Sequence, residues 1–148
     1  MTEVRFYQLG RRPLVEALAV MLERVLERGQ RGLVLAASNE RVESLADALW
    51  TWRENSFLPH GTAADGQAER QPIWLSTEPQ NPNGAQVLFL LEGVEAPPEG
   101  YDLVAVLFDG ADAEQLARAR RQWSGLKAAG HALSYWAEDA QGRWTKQA

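Results

Sequence analysis

The 148 residues are 45% hydrophobic and 24% charged, the balance of one ordinary globular domain rather than of a disordered or membrane-spanning chain. Cysteine is absent, which excludes disulfides and thiolate metal sites. The formal net charge of −5 argues against the broad basic surface with which a protein wraps nucleic acid, though not against a local basic patch.

The first residues, MTEVRFYQLGRR, lack the long apolar core of a signal peptide, and no apolar run has the length of a membrane span. A cytoplasmic protein without a membrane partner is expected. Residues 4–9 (VRFYQL) read as a first strand. Pro13 suits a first helical turn, and Leu14, Leu18, Met21, Leu22 and Val25 recur at helical spacing up to Gly29. Residues 32–38 (GLVLAAS) form a continuous apolar run, as in a strand buried on both faces. Ser38 or Asn39 can cap the next helix, ERVESLADALWTW, with Val42, Leu45 and Leu49 on one face. An irregular segment follows through Gln71. Strands are then expected at 73–76, 86–91 and 103–108, with the turn NPNG at 81–84. DGAD, residues 109–112, leads into a long helix that ends near Gly130, and HALSYW, residues 131–136, reads as a last strand. The whole chain, 1–148, reads as one domain with a loose tail from about 139. Alternating strands and helices predict a single three-layer α/β/α domain with a mainly parallel central sheet, Rossmann-like but without a nucleotide-binding loop.

The missing loop follows from the residues. The first turn, QLGRRP, has one glycine where a dinucleotide fingerprint needs three, and no lysine-threonine pair of a P-loop. No HExxH zinc motif and no GxSxG elbow occurs. Asp109 stands where a strand ends, and with Asp112 it could hold Mg²⁺. The plainer reading has Asp112 capping the helix and Asp109 shaping the turn. No cofactor is expected.

The long helix is more informative. Leu116, Ala119, Trp123 and Leu126 define its inward face. At about 100° per residue, Arg120 and Lys127 lie roughly 60–80° from the centre of that face, while Arg121 points away. A boundary arginine beside apolar surface suits a ligand that is both anionic and greasy, and guanidinium pairs carboxylates bidentately.

The sequence resembles the chi subunit family of bacterial DNA polymerase III holoenzyme along nearly its whole length. The resemblance rests on FYQL at 6–9, on LWTWRENSFLPHG at 49–61 and on DGADAEQLARARRQWSGLKAAGHALSYW at 109–136. It implies a non-catalytic α/β adaptor. Chi links the clamp loader, through the psi subunit, to the single-stranded-DNA-binding protein, whose acidic C-terminal tail ends in proline, phenylalanine and a free carboxylate. Arg120 matches the family's key arginine and Trp123 an aromatic of its pocket. Leu116 and Ser124 stand where the best-known members carry bases, for which Arg118, Arg121 or Lys127 would compensate. Trp50 and Phe57, with Pro59 beside them, match the surface that holds psi or a helicase competing for it. Little direct contact with nucleic acid is implied. Two alternatives remain open on the residues alone. One is a Mg²⁺-dependent phosphotransferase or hydrolase using Asp109, Asp112 and His60. The other is direct single-stranded DNA binding with Trp123 as a stacking platform.

Overall fold

The computed structural model describes residues 2–51 and 59–148. Its elements run β1 (Glu3–Leu9), α1 (Leu14–Glu27), β2 (Gly32–Leu35), α2 (Asn39–Thr51), a short 3-10 turn (Ala68–Arg70), β3 (Ile73–Ser76), β4 (Val87–Leu91), β5 (Leu103–Asp109), α3 (Ala113–Ala128), β6 (Ala132–Glu138) and β7 (Trp144–Lys146). The sheet order is β3-β2-β4-β5-β1-β6-β7. Every pair is parallel except the last, β6 with β7.

The central strands carry apolar residues at successive positions, because a parallel sheet between helix layers has two dry faces. On one face Leu18, Leu22 and Val25 of α1 and Val42, Leu45 and Leu49 of α2 pack against Val34, Leu75, Phe89 and Leu107. On the other face α3 covers Phe6, Val104, Val106 and Phe108. There the loops bearing Ala68, Val94, Ala96 and Tyr101 cover the remainder. Each fully buried Leu or Phe stabilises the fold by roughly 1.5–3 kcal/mol. Ser38 is the α2 cap, its Oγ accepting from the Arg41 N–H at 3.1 Å. No helix among the described residues is long and apolar enough to cross a membrane.

One expectation is corrected. The chain beyond residue 139 is not loose: Trp144–Lys146 pairs antiparallel with β6, with Glu138 opposite Trp144. Asp139 closes the turn by accepting from the N–H groups of Gln141 and Arg143, both at 2.9 Å, and Gly142 supplies the left-handed φ of +78° that the turn requires. The Trp144 ring then packs edge-on against Tyr7, with centroids 5.1 Å apart.

The loop between β1 and α1 fastens this hairpin. The N–H groups of Gly10, Arg11 and Arg12 all donate to Glu138 Oε1, at 3.1, 2.6 and 3.0 Å. The Arg12 Nε meets Oε2 at 2.5 Å, and the Glu138 side chain has no exposed surface. Arg12 also donates to the Gly142 carbonyl and lies 5.8 Å from the Trp144 ring centroid. Arg11 donates to the Ala140 carbonyl. Burial opposes ionisation of Glu138, but these donors outweigh it and hold the carboxyl at about 2, against the ordinary 4.5.

Candidate functional site

Helix α3 begins where Asp112 accepts from the N–H groups of Glu114 and Gln115, at 3.0 and 3.1 Å. It ends at Ala128, and Gly130, with a φ of +88°, then turns the chain while the Gly130 and His131 N–H groups donate to the Lys127 and Leu126 carbonyls. Between these caps Ala119 is buried, and Leu116, Trp123 and Leu126 pack half-buried against the sheet. Gln122 is buried as well, its Nε2 donating to the Val94 carbonyl at 2.9 Å.

Trp123 belongs to an aromatic cluster. Its ring meets Phe6 edge-on at 5.4 Å and Tyr135 of β6 edge-on at 5.9 Å. Tyr135 also contacts Phe108 at 6.0 Å and donates its hydroxyl to Gln8. Burial pushes the Tyr135 phenol up, and the positive charge of Arg120 partly reverses that rise. Arg120 therefore stands close enough to the rim of the cluster for its charge to be felt there. It is exposed and makes no ion pair among the described residues. Arg121 and Lys127 are likewise exposed and unpaired among those residues, so three cations face outward from one helix.

Arg118 differs. Its Nη2 pairs with Glu114 at 2.6 Å, and its stem lies over Gly93, so close that a Cβ there would sit 2.7 Å from the Arg118 Cδ. Its charge is thus answered within the helix, unlike that of Arg120. Leu116 packs inward, whereas Ser124 is exposed. None of the cavities described is lined by Arg120 or Trp123. Tyr135 is the neighbour of Trp123 that sequence reasoning did not bring in. Its signal was the alternation of β6, which sends Leu133 and Tyr135 toward α3 and Ser134 and Trp136 to the opposite face.

The residues of the enzymatic alternative do not assemble. Asp112 is the α3 cap, and the Asp109 carboxylate accepts from the Ala111 N–H at 2.9 Å. His60 is buried beside α2, its Nε2 3.2 Å from the Ala46 carbonyl, and Gly61 bridges to Trp74 of β3, at the other flank of the sheet. Among the described residues no three His, Asp or Glu side chains group as a metal site. As a stacking platform Trp123 is compromised by its edge contacts with Phe6 and Tyr135. Of the aromatic segment, Pro59 is half-buried. The Trp50 side chain and all of Trp52 and Phe57 lie outside the described residues.

Comparison with known proteins adds to this geometry. Residues 1–134 match the family model described as DNA polymerase III chi subunit, HolC. The chain is 30% identical over 91 residues to a protein of Rickettsia prowazekii (strain Madrid E) named "Probable DNA polymerase III subunit chi". That match takes in 62% of this chain and 55% of the relative, so the aligned region spans about half the relative's length.

Proposed function

The chain belongs to the DNA polymerase III chi subunit family, an accessory subunit of a replicative polymerase, and we propose that it acts there as an adaptor that binds the acidic C-terminal tail of the single-stranded-DNA-binding protein. The observation that carries this reading is Arg120: exposed, without an ion-pair partner among the described residues, and three residues before Trp123 on the same helix, with its positive charge felt at Tyr135. A tail that ends in an apolar side chain and a carboxylate places the first against Trp123 and Leu126 and the second on the guanidinium. Arg121 and Lys127 attract the acidic residues that precede the end. The segment bearing Trp50, Phe57 and Pro59 serves the second attachment in this proposal, to psi or to a helicase that takes the same surface. Aromatic side chains suit such an anchor because they bury large rigid area.

The test is calorimetric titration with a synthetic peptide copying the tail, beside the same peptide without its last phenylalanine. A hydrogen bond to a charged partner contributes about 1.5–3 kcal/mol. Arg120→Ala therefore weakens binding of the full peptide by about one to two orders of magnitude while melting is unchanged. The shortened peptide binds weakly to both proteins. A folded Arg120→Ala that keeps full affinity refutes the assignment.

A further inference from the structure

The head of the sheet holds a second anion-receptive place. β1 and β5 are neighbours, and the crossover after β1 leaves by α1 on one face while that after β5 leaves by α3 on the other. In open α/β sheets the crevice at such a switch point, outside the carboxyl ends of the strands, is where ligands bind. Here that crevice has a volume of about 380 Å³ and is lined by residues 9–14 together with Glu92, Asp109, Ala111 and Gln115. The three successive N–H groups of residues 10–12 and the Arg12 guanidinium converge beside it, as in the backbone nests that hold phosphate oxygens. In this chain they converge on Glu138.

We propose that the β1–α1 loop is an oxyanion nest whose resident anion is the chain's own Glu138 carboxylate, and that it takes a free tetrahedral oxyanion of the phosphate or sulfate type once that carboxylate is removed. Four donors on one carboxylate with no exposed surface is a cradle fully used, and a carboxylate supplies the same charge and acceptor oxygens as one edge of a phosphate. The tether also explains what the occupant does. Glu138 ends β6, so anion capture by the loop fixes β6 and the turn into β7 against β1. Other charges face the crevice. Glu92 pairs with Arg41 at 2.7 Å, whereas Asp109 has no cation partner among the described residues and opposes a multiply charged ligand. Binding to the emptied nest is therefore weak and saturates only at high phosphate.

The experiment compares melting of wild-type protein and Glu138→Ala in sodium phosphate and in sodium chloride of equal ionic strength. Glu138→Ala melts lower than wild type in chloride. Phosphate raises its melting temperature saturably and recovers most of the loss, sulfate acts likewise, and wild type shows no such rise. Adding Arg12→Ala to the variant abolishes the recovery. An equal response of wild type and Glu138→Ala to phosphate overturns the proposal, as does recovery that survives Arg12→Ala. If Glu138→Ala is unfolded in chloride, refolding becomes the readout: phosphate-dependent refolding supports the nest, and none overturns it.

Discussion

Two arginine clusters of this chain differ in what they touch. Arg11 and Arg12, in the loop after β1, are engaged on the chain itself: a buried carboxylate, two carbonyls of the β6–β7 turn and an indole ring. Arg120 and Arg121, on α3, face solvent without ion partners among the described residues. Both clusters sit beside aromatics, so composition does not separate them. What separates them is whether an internal anion already satisfies the donors. The first cluster lies at the place where related folds bind ligands, and that place is filled from within. The second lies on an outer helix face with no such history, and there the charge remains available to a partner. On the function proposed above, the self-engaged cluster serves stability and the open one serves tail binding.

The sharpest test of that division is Arg12→Ala. It removes the 2.5 Å pair with Glu138, the bond to Gly142 and the contact with Trp144, while the three backbone donors to Glu138 remain. Breaking a buried pair costs about 3–5 kcal/mol when nothing else holds the orphaned charge. With those donors left, the loss is about 2–3 kcal/mol, or a melting temperature lower by roughly 5–10 °C. Affinity for the tail peptide below the transition stays as in wild type. A Arg12→Ala protein that melts normally, or that loses tail binding while folded, breaks the division.

Acid gives a second, smaller lever. Glu138 is held at about 2 in the folded chain against an ordinary 4.5, so its ionised form favours folding. That contribution is fully present above about pH 4.5, where the unfolded carboxyl is also ionised, and is lost as pH falls toward 2. Its full size is at most about 3 kcal/mol. The measurement is the urea midpoint of wild type and Glu138→Gln across this range. The gap between them is widest near neutrality and closes toward pH 2, because protonated glutamate then resembles glutamine. A gap that is constant with pH means that the charge of Glu138 contributes nothing.

Much of this was legible in the sequence, for reasons that also explain the omissions. Continuous apolar runs such as VLFLL mark strands with two dry faces, and Asp112 before a helical pattern marks a cap. Helical phase placed Arg120 at the boundary of the α3 apolar face; in the structure it is exposed and its charge is felt at Tyr135. The anion in the β1–α1 loop was not legible, because its source lies 126 positions beyond Arg12 and is one acid among twenty. For the same reason the last residues looked loose: β7 is three residues long, and the groups that fasten it belong to the other end of the chain. No periodicity signals either. The packing around Trp123 also needed tertiary knowledge, since Phe6 and Tyr135 come from separate strands to meet that ring.

Arg118 supplies the finest test, because it lies on the open helix but behaves like the enclosed cluster. Its spacing of four from Glu114 was readable, and the structure forms that pair at 2.6 Å. The pair is largely exposed, so it adds only about 0.3–0.5 kcal/mol to stability. A cation whose charge is already answered offers an approaching carboxylate less than Arg120 does, two residues further along. Arg118→Ala should therefore reduce tail-peptide affinity by no more than about threefold, and melting by about 1 °C. Glu114→Ala should do the reverse for binding: it releases Arg118 and removes an acid from the helix, so affinity rises slightly. Calorimetry on both variants decides. If Arg118→Ala costs as much binding as Arg120→Ala, an internal partner does not withdraw a cation from use on this surface, and the contrast between the two clusters rests on burial alone.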